Sequence, residues 1–101
     1  FQPHRFTRTR ALFDEFTRAF YQSDELLVLP VYAASEDPIE GVNAENLCEG
    51  IKAHGHRSVC CVSGLKQAVS HLKNVLKPGD LLLTLGAGDV WKVGEAVLKK
   101  L

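Results

Sequence analysis

The sequence predicts an α/β domain in which a mostly parallel sheet is covered by helices on both faces. Short apolar runs alternate with amphipathic stretches of helix length along the chain. Crossovers of that length join parallel rather than antiparallel strands. The chain has 101 residues, of which 46% are hydrophobic, so it is long enough for one core and too short for a second domain.

The first elements are the end of a strand, a loop and a long helix. The opening residues read as a strand tail that runs into a loop, and the residues from Thr7 to Tyr21 follow with helical periodicity. The apolar positions of this predicted helix are Leu12, Phe13, Phe16, Ala19 and Phe20, and Asp14 pairs with Arg18 on another face. Glu25–Tyr32 is a nearly continuous apolar run, typical of a strand buried on both faces, although Pro30 removes one hydrogen-bond donor.

A loop over residues 33–42 separates this strand from the next helix. Asn43 is a typical N-cap residue and predicts a helix that runs to about Ala53. The inward-facing positions of that helix are Leu47, Cys48 and Ile51. The short apolar segment Ser58–Val62 then predicts a second strand.

The last third of the chain continues the alternation. Ser63 and Gly64 turn the chain into a helix that begins at Leu65 and ends before Pro78. Asp80–Leu85 predicts a third strand, and Asp89 is predicted to cap the final helix. The predicted core positions of the two helices are Leu65, Val69, Leu72, Val75 or Leu76, Val90, Val93, Val97 and Leu98.

The composition excludes several classes of function. Twelve basic and twelve acidic side chains cancel, which argues against binding to nucleic acid or to an anionic membrane surface. There is neither an apolar run of about 20 residues nor a signal peptide. Three cysteines, with Cys60 and Cys61 on opposite faces of a strand, suit buried thiols and a cytoplasmic protein. The chain contains no Met, and we expect it to be a fragment of a longer protein.

The segment Phe1–Arg10 is the strongest functional signal, because it carries three arginines and a histidine but no acid. Cations at the positive end of a helix dipole each cost roughly 0.3 to 1 kcal/mol. An anion would offset this cost if guanidinium groups and the free N–H groups of the first turn held it. The cluster therefore predicts a phosphate or carboxylate site. The alternative is a set of solvated arginines, or arginines paired with carboxylates elsewhere.

Two further polar segments follow predicted strands, so they share one edge of the sheet with the arginines. Gly86, Gly88 and Asp89 form a strand-to-helix turn, but Trp91 stands where a dinucleotide-binding fingerprint needs glycine. A tight turn with a capping Asp89 is slightly favoured over ligand binding, and Asp89 is alternatively an acceptor for an ammonium group. The acidic loop carries Glu36, Asp37 and Glu40, which we interpret as ordinary loop residues unless they contact an amine or the arginines of the first loop.

Other kinds of site are not supported by the residue spacing. Cys48, His54 and His56 do not have the spacing of a zinc site, so no metal site is predicted. The phosphate loop of nucleotide triphosphatases is absent from these residues.

Three segments resemble the C-terminal domain of the Mur ligases of peptidoglycan synthesis: FQPHRFTRTRALFDEF, LPVYAASEDPIEGV and LLLTLGAGDVWKV. The resemblance covers nearly the whole chain. The first block is similar to the branch of the family that joins L-alanine to UDP-N-acetylmuramic acid, although that branch usually has Tyr at the position of Phe6. The resemblance implies a Rossmann-like three-layer α/β/α fold, here truncated at its N-terminus. It also implies that the UDP-sugar and central ATPase domains lie outside residues 1–101.

The resemblance also implies a mechanism and site residues. ATP, with Mg²⁺, would phosphorylate the sugar carboxylate, and the alanine amine would attack the acyl phosphate. ATP and Mg²⁺ would be bound mainly by the central domain. His4, Arg5 and Arg8 would hold the alanine carboxylate and the transferring phosphoryl group, and Gly86, Gly88 and Asp89 would line the same cleft. The fragment alone is expected to be inactive.

Three alternatives remain open from the sequence. One is the related ligase that recycles a murein tripeptide. The second is a non-catalytic α/β module that binds an anionic metabolite. The third is a dehydrogenase fragment, which the broken glycine fingerprint disfavours.

Overall fold

The computed structural model describes residues 1–101 and shows a small α/β domain around a parallel pair of strands. β1 (Leu26–Val28) pairs in parallel with β2 (Val59–Cys61), and Leu26 lies opposite Val59. A parallel bridge between His4 and Tyr32 places the first residues of the chain beside the end of β1. The helices are α1 (Phe6–Ala11), α2 (Phe13–Thr17), α3 (Ala44–Ala53), α4 (Leu65–Val75) and α5 (Trp91–Lys100). None of them is long and apolar enough to span a membrane.

The residues of β1 and the following Leu29 alternate between two separate hydrophobic clusters. Leu27 and Leu29 pack with residues of α4 and α5, whereas Leu26 and Val28 pack with residues of α3. Cys60 and Cys61 divide between the same two clusters, which confirms that they face opposite sides. The apolar run of the first predicted strand is therefore explained by burial on both faces.

The three thiols are free, and Cys48 is buried. Burial raises the pKa of Cys48 to about 12, so it is a protonated packing group at neutral pH.

The predicted α3 and α4 are confirmed. Asn43 is the N-cap of α3, and its side-chain oxygen accepts a hydrogen bond of 2.7 Å from the backbone N–H of Asn46. Leu47, Cys48 and Ile51 are all buried on the inner face of α3. Leu65 begins α4, and the helix ends at Val75, before Pro78.

The single long helix predicted from Thr7 to Tyr21 is wrong, because the backbone leaves the helical conformation at Leu12. Two threonine side chains bond back to the preceding turn, a contact that bends helices. Thr9 Oγ1 donates to the carbonyl of Arg5 at 2.7 Å, and Thr17 Oγ1 donates to the carbonyl of Asp14 at 2.6 Å. The expected ion pair between Asp14 and Arg18 is present at 3.0 Å on the exposed face.

The predicted third strand, Asp80–Leu85, is also wrong, although its side chains alternate as a strand's do. Leu81 and Leu83 are 82% and 65% exposed, whereas Leu82 is half-buried. Its backbone contacts a neighbouring segment only at its end, where the N–H of Gln2 donates to the carbonyl of Leu85 at 2.9 Å. An apolar cavity of about 380 Å³ lies between the remaining residues of this segment and β1. The segment therefore lacks the adjacent strand that a hydrogen-bonded ladder needs.

Two predictions for the last helix are wrong as well. The N-cap position of α5 is Val90, and no side chain caps the helix. The carboxylate of Asp89 instead lies 3.6 Å from the ammonium of Lys92. This exposed ion pair contributes little to stability and leaves the backbone N–H groups of the first turn without a side-chain cap. Leu98 is 71% exposed rather than buried, whereas Val90, Val93 and Val97 are buried as predicted.

Candidate functional site

The first residues of the chain are held in register against the end of β1 by backbone hydrogen bonds. Leu29 N–H donates to the carbonyl of Phe1 at 2.9 Å, and Tyr32 N–H donates to the carbonyl of Pro3 at 2.8 Å. The N–H of Arg5 then donates to the carbonyl of Tyr32 at 2.7 Å. This parallel pairing carries His4 and Arg5 to the carboxyl end of the strand, where ligands of open α/β sheets bind.

The turn Gly86–Asp89, which we call the glycine corner, lies directly against this first segment. A Cβ atom on Gly86 would stand 2.9 Å from the carbonyl oxygen of Gln2, and one on Gly88 would stand 2.9 Å from Cδ2 of Tyr32. Both positions therefore need glycine because the chain packs closely against itself. The structure brings the two predicted parts of the site together at one edge.

His4, Arg5 and Arg8 lie on the same loop and first helical turn. His4 is half-buried, and Nη1 of Arg8 lies 3.4 Å from its Nδ1. Arg5 is exposed and has a φ of 70°, a left-handed conformation that costs a non-glycine residue of order 1 to 3 kcal/mol. Such strain persists only where surrounding bonds fix the backbone, as the bond from Arg5 N–H to Tyr32 does here.

No carboxylate lies within salt-bridge distance of the arginines of the first segment, although the charge of Arg5 contributes to the lowered pKa of Glu36. The ion pairs of the structure join Asp14 to Arg18, Glu49 to Lys52 and Asp89 to Lys92. Arg5, Arg8 and Arg10 take part in none of them and are exposed. These guanidinium groups are therefore available to an anion that arrives from solution or from another domain.

The start of α1 is occupied by a carboxylate of the chain itself. Oε1 of Glu36 accepts a bond of 3.0 Å from Thr7 N–H, and Oε2 accepts one of 2.6 Å from Thr7 Oγ1. The expectation that a free N–H group of the first turn would hold a ligand is therefore wrong at Thr7. The acidic loop does contact the first segment, but through Thr7 rather than through a salt bridge to an arginine.

The Thr7 bonds lower the pKa of Glu36 below its ordinary value of 4.5. A carboxyl group whose pKa is lower in the folded state stabilises the fold above its unfolded pKa and loses that effect as the pH falls through the folded pKa. We therefore expect the difference in unfolding free energy between the wild type and Glu36→Gln to shrink as the pH falls from about 6 to about 3. Denaturant unfolding across this range measures it.

Asp37→Asn is the matched control, since this neighbouring carboxylate does not bind Thr7. A pH-independent difference for Glu36→Gln would contradict a role for the charged form of Glu36.

Two contact residues of the site, Thr7 and Tyr32, were not predicted as such from the sequence. Tyr32 stacks on His4, with ring centroids 5.5 Å apart and an angle of 10° between the rings. The available signal was its position, because Tyr32 ends the apolar run of β1 and precedes the acidic loop at the ligand-binding edge. The partner of Thr7 lies 29 residues away, and no local pattern marks such a contact.

Known proteins resemble this chain over most of its length. The family described as Mur ligase, glutamate ligase domain, matches residues 2–88. The chain is 65% identical over 97% of its length to the UDP-N-acetylmuramate–L-alanine ligase of Desulfosudis oleivorans, and 62% identical over 98% of its length to the ligase of the same name from Desulforapulum autotrophicum. A ligase of that name from Syntrophotalea carbinolica is 57% identical over 96% of the chain.

The chain spans only about a fifth of the length of these relatives, with shares of 21%, 22% and 21%. Most of each relative therefore has no counterpart among residues 1–101.

Proposed function

This chain belongs to the family of the Mur ligase glutamate ligase domain, and from that premise we propose that it is the C-terminal domain of an ATP-dependent ligase. The ligase joins L-alanine to UDP-N-acetylmuramic acid in peptidoglycan synthesis. The names and identities of the relatives support this substrate pair. The UDP-sugar and central ATPase domains of the full-length protein lie outside residues 1–101, and the complete domain has the wider Rossmann-like three-layer sheet.

In the proposed reaction, the γ-phosphoryl group of ATP is transferred to the carboxylate of the sugar, which gives an acyl phosphate and ADP. The amine of L-alanine then attacks the acyl carbon, the new C–N bond forms, and phosphate leaves. The reactant carboxylate, the acyl phosphate, the tetrahedral intermediate and the leaving phosphate are all anions. A cluster of cations without carboxylate partners suits each of these species.

The observation that carries the proposal is the group His4, Arg5 and Arg8 at the carboxyl end of β1, in which neither arginine has a carboxylate within salt-bridge distance. The planar guanidinium of Arg8 binds the alanine carboxylate in a bidentate way, which also orients the amine. Arg5 and His4 stabilise the negative charge that develops on the acyl phosphate. Gly86, Gly88 and Asp89 form the wall of the same cleft, with the glycines packed against Gln2 and Tyr32.

The residues at this edge fit phosphate and carboxylate groups rather than a metal ion. Mg²⁺ takes oxygen ligands, chiefly carboxylates and phosphates, whereas His4, Arg5 and Arg8 supply nitrogen donors. We therefore assign ATP and Mg²⁺ to the central domain, where the ion would supply charge neutralisation for phosphoryl transfer. Closure of this domain over the central one would exclude water from the acyl phosphate. The reaction belongs to the cytoplasm, in keeping with three free cysteines.

The test is phosphate release by the full-length protein supplied with ATP, Mg²⁺, UDP-N-acetylmuramic acid and L-alanine. We expect release that depends on every one of these compounds and a product that contains alanine. Activity with a murein tripeptide in place of L-alanine would identify the recycling ligase instead. Binding of an anionic sugar nucleotide without any turnover would favour a non-catalytic module.

A further inference from the structure

Tyr32 lies between the two parts of the candidate site and touches both. One face of its ring stacks on the imidazole of His4 at 5.5 Å with an angle of only 10°. Its ring atoms also lie against Gly88, where an added Cβ would stand 2.9 Å from Cδ2 and 3.0 Å from Cγ. The ring therefore connects the glycine corner to the loop that carries His4 and Arg5.

The backbone of Tyr32 fixes the main chain on both sides of His4. Its N–H donates to the carbonyl of Pro3 at 2.8 Å, and its carbonyl accepts from the N–H of Arg5 at 2.7 Å. With the main chain fixed, the remaining freedom of His4 is the rotation of its side chain. The parallel stack on Tyr32 restricts that rotation, since aromatic contacts of this kind favour one relative orientation.

The contact continues from His4 to Arg8, because Nη1 of Arg8 lies 3.4 Å from Nδ1 of His4. When Arg8 donates to Nδ1, the opposite ring nitrogen, Nε2, carries the proton of the neutral imidazole and is free to donate to a ligand. The order of contacts is thus Gly88, Tyr32, His4, Arg8.

Tyr32 is 39% exposed, so it is not a core residue whose loss would unfold the domain. From these contacts we propose that Tyr32 is a positioning residue: its ring holds the imidazole of His4, and through it Arg8, in the orientation that receives the anionic substrate. The inference rests on the proposed function of the site and adds a residue to it. Only the ring is required, since the phenolic hydroxyl takes no part in the stack.

Kinetics of the full-length protein test this role. Tyr32→Leu keeps an apolar side chain but removes the stack. We expect it to raise KM for L-alanine and lower kcat/KM about tenfold, less than the roughly hundredfold loss that a misplacement of about 1 Å can cause. Tyr32→Phe keeps the ring and is expected to restore most of the lost activity. Tyr21→Leu is the matched control, because Tyr21 is the other tyrosine and is exposed away from the site.

A double-mutant cycle separates positioning from a general structural role. If Tyr32 acts through His4, Tyr32→Leu should have little further effect in a His4→Gln background. Equal losses in the two backgrounds would overturn the inference, and so would wild-type kinetics for Tyr32→Leu. Gly88→Ala displaces the same ring from the other side without removing it, and it is expected to raise KM for L-alanine in the same way.

Failure of this inference is distinguishable from failure of the proposed function. If the wild-type protein releases phosphate with L-alanine but Tyr32 and His4 are not coupled, only the positioning role is wrong. If the wild-type protein shows no such reaction, the proposed function is wrong.

Discussion

Replacement of Arg8 by alanine in the full-length protein is expected to lower kcat/KM for L-alanine at least about 30-fold, equivalent to ~2 kcal/mol of transition-state stabilisation. Arg8 is exposed and forms no ion pair, so its loss would remove the proposed contact to the ligand rather than an internal salt bridge. Alanine is also the best helix former, so α1 is not weakened by the change. Steady-state phosphate release at varied L-alanine measures the effect.

Two variants sharpen this test. Arg10→Ala removes a guanidinium from the same helix, two residues further on, and we expect it to retain kcat/KM within about twofold, as surface substitutions of this kind usually do. Arg8→Lys keeps the positive charge but loses the planar fork, so an intermediate loss is expected. Equal kinetics for Arg8→Ala and Arg10→Ala would show that Arg8 has no special role.

Gly86→Ala is expected to disrupt the candidate site by pushing the glycine corner away from the first segment of the chain. Its Cβ would stand 2.9 Å from the carbonyl oxygen of Gln2 and 2.9 Å from Cγ1 of Val90, and neither neighbour is a flexible side-chain end. Overpacking of this kind costs about 1 to 3 kcal/mol of stability. Because Gln2 precedes His4 by two residues, we also expect kcat/KM for L-alanine to fall. Denaturant unfolding and phosphate release measure the two effects.

Gly94→Ala is the matched control for Gly86→Ala. Gly94 lies within α5, and its added Cβ would meet Cγ2 of Thr84 at an ordinary distance of 3.6 Å. Alanine is favoured over glycine inside a helix by up to about 1 kcal/mol, so this variant should be as stable as the wild type or more stable. A Gly86→Ala protein with wild-type stability and activity would mean that the glycine corner and the first segment do not depend on each other.

The parts of the fold that were predictable are those that local signals determine. Asn43 marks the start of α3 because its side chain satisfies a free N–H of the first turn within the same few residues. The apolar run of β1 indicates burial on both faces, and the structure divides its residues between two clusters as expected. The gathering of the first segment and the glycine corner at one edge follows from the βα connections of a parallel sheet.

The parts that were not predictable depend on distant contacts. Asp80–Leu85 has the composition of a strand, but a strand also needs a neighbour, and only Leu85 has one. Leu12 interrupts the first helix between two threonines whose hydroxyls donate to the carbonyls of Arg5 and Asp14 in the preceding turn, a contact that helical periodicity does not register. Glu36 occupies the start of α1 from 29 residues away, so the sequence around α1 does not indicate it.

The contact between Glu36 and Thr7 changes the account of the anion site. A helix start that already binds a carboxylate attracts further anions less, since the two negative charges repel each other. In the proposed site, affinity for an anion would therefore come from the side chains of His4, Arg5 and Arg8 rather than from the helix dipole. Binding of the anion should therefore depend most strongly on the guanidinium groups of Arg5 and Arg8, which agrees with the large effect expected for Arg8→Ala.

The proposed role of the first segment is tested most directly by the structure of the full-length protein bound to L-alanine, UDP-N-acetylmuramic acid and a non-hydrolysable ATP analogue. We expect the guanidinium nitrogens of Arg8 to lie about 2.7 to 2.9 Å from the oxygens of the alanine carboxylate. We also expect His4 and Arg5 to face the sugar carboxylate and the terminal phosphate. An alanine carboxylate bound elsewhere, with His4, Arg5 and Arg8 pointing into solvent, would contradict this role.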